Sequence, residues 1–136
     1  MKLLIIIRGV SGSGKSTLAE MISRTLTPFG HVEADQYFVN PNGDYIFNPN
    51  LLHQAHDWCV KTVESHIQTD HTVIVSNTFT RKWEIDPYIK LAKEYGYQVQ
   101  LITCEGQFQN VHNVPDEVVQ KMRDRFEHLT LKDFGL

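Results

Sequence analysis

The sequence predicts an α/β fold, with a parallel β-sheet of about four to five strands and helices on both faces. Three observations predict it. Short β-branched apolar runs alternate with stretches of helical period. A glycine-rich loop joins the first run to the first helical stretch. Polar clusters stand where the runs end, the place where open parallel sheets bind ligands.

The first strand is expected over Lys2 to Ile7, a run bounded by Gly9. A helix follows from Lys15, with Leu18, Ile22 and Leu26 on one face, until Pro28 and Gly30 stop it. His31 to Ala34 reads as a weaker strand ending at Asp35. The stretch 38–50 carries the turn signal "NPNGDY" and is expected to be a substrate-side loop. A helix over Pro49 to Gln68 would bury Leu52, Ala55, Cys59, Val63 and Ile67. Thr72 to Ser76 is the next strand. Trp83 to Tyr95 is the next helix, with Ile85, Ile89 and Ala92 inward, Trp83 packed and Gly96 as its cap. Gln98 to Cys104 makes another strand. After an irregular connection over 105–114, Pro115 opens a last helix carrying Val118, Met122, Phe126 and Leu129 inward.

The chain has 136 residues, the size of a single domain with one core, and no internal repeat or low-complexity tract is visible. A formal net charge of -3 argues against a protein that coats nucleic acid through a broad basic face. Gripping one strand end needs only a few basic residues and stays open. The apolar run Leu3 to Ile7 is too short for a signal-peptide core or a membrane span. The two cysteines, Cys59 and Cys104, have no metal-ligand spacing. Reduced, buried cysteines and a cytoplasmic location are therefore expected.

Gly9 to Ser16 fits G-x-x-x-x-G-K-[ST], placed between a strand and a helix. Glycines at 9, 12 and 14 let the backbone curl so that successive N–H groups, including those of Ser11, Ser13 and Thr17, face a phosphate. Lys15 would reach the β- and γ-phosphates, and the Ser16 hydroxyl would ligate Mg2+. Nucleotide binding follows. A GTP switch would need Asn-Lys-x-Asp and Asp-x-x-Gly, and neither occurs. A motor-type ATPase would carry an acid after a later apolar strand, where "TVIVSN" has Ser76 and Asn77. Asp35, at the end of the second strand, is instead suited to take a proton from an attacking hydroxyl; the alternative is a turn cap.

Taken in order, "LLIIIRGVSGSGKSTLA", "EADQYF", "GDYIFNPNLLHQAHDWC", "VIVSNTFTRKWEIDPYIKLAKEYGYQV" and "VHNVPDEVVQKMRDRFE" resemble the polynucleotide 5′-kinase-like P-loop kinases. These include the phage-type polynucleotide kinase domain and short eukaryotic relatives. The resemblance implies a P-loop kinase fold and transfer of the ATP γ-phosphate to the 5′-hydroxyl of DNA or RNA. It implies Mg·ATP held by Lys15, Ser16 and the backbone of Gly12 to Thr17, with Asp35 as general base. Asn77 and Thr78 match a segment lining the acceptor channel, and His56 matches a family position. The lid would be the short connection 105–114.

Three positions depart from that pattern. Phe38 stands where the phage-type enzyme has an arginine, Gln109-Asn110 stand where relatives have Arg-Asn, and Ser76 replaces a common acid. The substitutes in view for the lid arginine are Arg81 and Lys82, or Arg123 and Arg125. Tyr37, Phe38, Tyr45 and Phe47 flank the turn, either to stack on bases of a single strand or to pin the hairpin. His53 and His56 are spaced for a metal but lack a third ligand. Three readings stay open: a polynucleotide kinase, a kinase of a small-molecule hydroxyl (nucleoside, sugar or antibiotic), and a nucleotide-binding interaction module.

Overall fold

The structure is a computed structural model and describes residues 2–26, 29–106 and 114–136. Its four strands are β1 (Leu3–Arg8), β2 (Phe29–Val32), β3 (Thr72–Asn77) and β4 (Gln98–Thr103). They form one parallel sheet in the order β2-β3-β1-β4. The helices are α1 (Lys15–Ser23), α2 (Leu52–Gln68), α3 (Lys82–Tyr95) and α4 (Asp116–Arg125).

β1 is central and buried on both faces, which is why it reads as an unbroken apolar run. Its alternate residues serve two cores. Leu3, Ile5 and Ile7 pack with Ala19, Leu18 and Ile22 of α1. Leu4 and Ile6 pack with Ala55, Cys59, Val63 and Ile67 of α2 and with Ile85, Tyr88 and Ala92 of α3. Full burial of Leu4, Ile6 and Ile7 contributes on the order of 2 kcal/mol each. The two-faced arrangement expected from the alternation of strands and helices is therefore present.

Several element limits differ from the sequence reading, each for a local reason. α1 stops at Ser23, because Ser23 and Thr25 turn their hydroxyls onto the Glu20 and Ile22 carbonyls. β2 begins earlier, at Phe29, and its ladder ends at Val32 opposite Val75. The Asn77 side chain then captures the Ala34 amide at 2.8 Å, so 34–38 close into a 3-10 turn instead of extending the strand. Pro49–Leu51 is likewise a 3-10 turn before α2, capped by the Asn48 side chain, and Leu52 is exposed.

Trp83 does not pack: it is 71% exposed, two residues ahead of Ile85 and hence across the helix from the buried stripe. On α4 Val119 is buried and Val118 exposed, while Met122, Phe126 and Leu129 of the expected set are half-buried. Phe126 and Leu129 lie beyond the end of that helix. Cys59 is buried and Cys104 half-buried, both as free thiols. Among the described residues no helix is long and apolar enough to cross a membrane.

Candidate active site

β1 delivers the glycine-rich loop to the carboxyl edge of the sheet between its two neighbours. Gly9 N donates to Thr78 O at 3.2 Å, and Cys104 N donates to Arg8 O at 2.8 Å. A β-carbon at Gly9 would collide with the Ser13 hydroxyl and lie 2.7 Å from the Cys104 carbonyl, so only glycine lets the loop sit this low. Gly12 and Gly14 take φ of 82° and 96°, the left-handed values that favour glycine. Gly14 offers no side chain to cap α1, so the first-turn amides remain for an anion. Lys15 arches back over the loop and donates to Val10 O at 3.1 Å. Burial pulls its ammonium below the usual pKa, while Glu33 and Asp35 act against that fall.

The loop meets a polar group from β2 and β3. Ser16 Oγ donates to Glu33 Oε1 at 2.8 Å, and Ser76 Oγ donates to the same oxygen at 2.7 Å. His31 Nε2 lies 3.3 Å from that oxygen and 3.1 Å from Ser76 Oγ. Burial alone would raise the Glu33 carboxyl, but hydrogen bonds from His31, Ser76 and Ser16 outweigh it and hold the pKa at about 2. Asp35 follows in the 3-10 turn Ala34–Phe38. The Tyr45 hydroxyl donates to Asp35 Oδ1 at 3.3 Å. Burial, then the Asp35 charge, raises the Tyr45 pKa to about 12, so this donor keeps its proton at neutral pH.

The expected acceptor residues are placed unevenly. Asn77 is buried, with its amide on Ala34 N and on Cys59 Sγ; it fixes the turn that carries Asp35. Thr78 is half-buried, and its carbonyl anchors Gly9. His56 is half-buried on α2. Tyr37 is exposed, its hydroxyl 3.5 Å from Gln54 Oε1. Phe38 is the buried hub of the aromatic group, with Tyr37, Tyr45 and Phe47 set edge-on around it. The hairpin is therefore pinned by its own rings, and a Val39–Tyr45 bridge closes it. His53 is exposed and pairs with Asp57, and no three metal-ligating His, Cys, Asp or Glu side chains converge among the described residues.

The expected lid falls largely outside the described residues, including Gln109-Asn110 and His112-Asn113. Of the basic substitutes, Arg81 is exposed at the start of α3, Lys82 pairs with Asp86, and Arg125 Nε donates to Thr80. Arg123 lines a cavity of about 190 Å3 together with Val10, Cys104, Gly106, Phe126 and His128. α4 reaches this place because Ser11 Oγ donates to Met122 Sδ at 3.6 Å and Phe126 packs on Arg8.

Sequence alone assigns no role to Arg8 or Glu33. Arg8 is wholly buried; its Nε and Nη2 donate to Phe79 O at 3.0 and 2.7 Å, and its guanidinium sits 4.0 Å from the Phe126 ring centre. Phe79 has φ 46°, a strained value for an aromatic residue, and the arginine fork holds its carbonyl in place. Burial lowers the Arg8 pKa, with Glu127 and Glu84 acting against it. Arg8→Ala is expected to destabilise the fold by about 3 kcal/mol, read as a fall of roughly 10 °C in Tm. Arg8→Lys should not restore it, because an ammonium cannot reproduce the fork.

A model of the AAA_33 family, an AAA domain, matches residues 4–107. NEDD4-binding protein 2 of Homo sapiens is 30% identical over 135 residues, which covers 91% of this chain but 8% of that protein. An uncharacterised protein of Pasteurella multocida (strain Pm70) is 31% identical over 139 residues, 90% of this chain and 75% of its own length. A chain of the Pnkp1/Rnl/Hen1 RNA repair complex has a TM-score of 0.62 at 22% identity, over 90% of this chain and 36% of that one. The APS kinase CysC of Mycobacterium tuberculosis has a TM-score of 0.60 at 19% identity, over 93% of this chain and 97% of that one. These two likenesses concern the fold alone. The phosphate-type loop, the four-stranded parallel sheet and the family match over most of the chain agree: this protein belongs to the AAA_33 family and has an α/β P-loop kinase-like fold.

Proposed function

We propose that this chain transfers the γ-phosphoryl group of Mg·ATP to the 5′-hydroxyl of a DNA or RNA end. The observation that carries the reading is the place of Asp35, in the turn after β2 and near enough for its charge to act on the loop lysine Lys15. A carboxylate placed there can take the proton of an attacking hydroxyl. The open first-turn amides, the lysine and the Ser16 hydroxyl fit a Mg-bound triphosphate.

The loop amides and Lys15 fix the β- and γ-phosphates in line with the acceptor. Asp35 takes the hydroxyl proton as the acceptor oxygen bonds to the γ-phosphorus and the bond to the ADP oxygen breaks. Mg2+, when bound, neutralises charge on the phosphate oxygens. Tyr45 holds one Asp35 oxygen, and Asn77 fixes the turn beneath it. Arg123, on the wall shared with Val10, is the cation assigned to the transferring group. Arg123→Ala is expected to lower turnover by about 10- to 100-fold with ATP affinity nearly unchanged, whereas Arg81→Ala should leave both nearly unchanged.

The nucleic-acid acceptor is supported by the ordered resemblance across the chain and by the fold shared with a chain of an RNA repair complex. A small hydroxyl acceptor is the second reading. It is favoured by the Tyr45 contact on Asp35 and the self-packed hairpin, which crowd the base. A transfer assay with γ-labelled ATP separates them. Label on oligonucleotides ending in a 5′-hydroxyl, and none on those ending in a 5′-phosphate, is the result expected. Label only on nucleosides, sugars or aminoglycosides would replace the first reading with the second.

A further inference from the structure

The end of β3 lacks the carboxylate that a phosphate-loop site needs for its cation. P-loop NTPases hold Mg2+ with the loop Ser or Thr and an acidic side chain from a neighbouring strand. Here the strand beside β1 closes on Ser76 and Asn77, both neutral. The register Val32↔Val75 sets the next two residues, Glu33 and Ser76, side by side at the sheet edge. Glu33 has the reach that Ser76 lacks. Its Oε1 lies 2.8 Å from Ser16 Oγ and 2.7 Å from Ser76 Oγ.

We propose that Glu33 supplies the carboxylate of this chain's divalent-cation site, acting from β2 in place of an acid at the tip of β3. The inference rests on the reading of the loop as a Mg·ATP site. Hydroxyl and carboxylate oxygens are the hard donors that Mg2+ prefers. The contact with Ser16, the residue after the loop lysine, puts Glu33 at the phosphate end of the loop.

The carboxylate is held as a ligand must be. Ser76 donates to it and His31 stands against the same oxygen, while the Glu33 side chain keeps 18% of its surface open. Ligating carboxylates are themselves hydrogen-bonded, and this outer support fixes their orientation. By donating its proton to Glu33, Ser16 makes its own oxygen a better donor to a cation. A purely structural role for Glu33 would tie the loop to β2 and β3 and predicts equal weakening of nucleotide binding with and without metal. A ligand role predicts a loss confined to the metal-dependent part.

The test is calorimetric titration of the whole chain with ATP, once in Mg2+ and once in EDTA. Wild type is expected to bind ATP more tightly in Mg2+. Glu33→Gln should keep its EDTA affinity and lose about tenfold or more in Mg2+. Glu33→Ala combined with Ser76→Asp, which puts a carboxylate back at the tip of β3, should regain the Mg2+ enhancement. An enhancement in Glu33→Gln equal to wild type overturns the proposal, as does equal weakening in both buffers. Should Glu33→Gln not fold, Glu33→Asp keeps the charge and shortens the reach; an undiminished enhancement there overturns it equally. Failure of wild type to bind ATP in either buffer would instead remove the nucleotide-site reading, and this inference with it.

Discussion

Asp35→Asn is expected to lower phosphoryl transfer by about a thousandfold while ATP affinity changes by less than about threefold. The amide has the size and shape of the carboxyl, so the 3-10 turn, the Asn77 contact to Ala34 and the Tyr45 hydrogen bond all persist. What it lacks is a basic oxygen able to accept the acceptor's proton. Single-turnover rates measure the loss, and calorimetry with ATP measures what is retained. A variant that turns over within about fivefold of wild type would remove Asp35 from the chemistry and leave it as a turn cap.

Lys15→Ala should lower kcat/KM by about a thousandfold, and here nucleotide affinity falls with turnover. The ammonium is the one charge on the loop, and in its place Glu33 and Asp35 would face the triphosphate unopposed. Stability should move the other way. Burial disfavours the charged lysine in the folded state, so its removal leaves Tm unchanged or slightly higher. Loss of activity together with a fall of many degrees in Tm would mean that Lys15 holds the fold and not the ligand.

The parts of this site that could be read from the chain are those set by local chemistry. The glycines at 9, 12 and 14 announce backbone that only glycine accepts, and the apolar runs of β1 and β3 announce strands buried on both faces. Asp35 could be proposed from the chain because it follows an apolar run at a sheet edge. The contacts of Glu33 and Arg8 could not, since their partners are distant in sequence. Glu33 meets Ser76 43 residues away, through a strand register that no local pattern reveals. Arg8 meets Phe79 71 residues away, and a charged residue ending an apolar strand reads as a boundary, not a core residue. On α4 only Val118 was misplaced. Val118 and Val119 are adjacent apolar residues, either of which can share a face with Met122 and Phe126, and nothing local to the helix says which is buried. Asn77, matched by the resemblance to the acceptor channel, also holds the Ala34 amide beside Asp35, a contact no local pattern reveals.

The most direct test of the account is the fate of the γ-phosphate in a single turnover with γ-labelled ATP and an oligonucleotide bearing a 5′-hydroxyl. The account predicts label on the 5′ end of the oligonucleotide with wild-type protein and almost none with Asp35→Asn. Tight binding of ATP with no label on any hydroxyl, or label released only as inorganic phosphate, would contradict it.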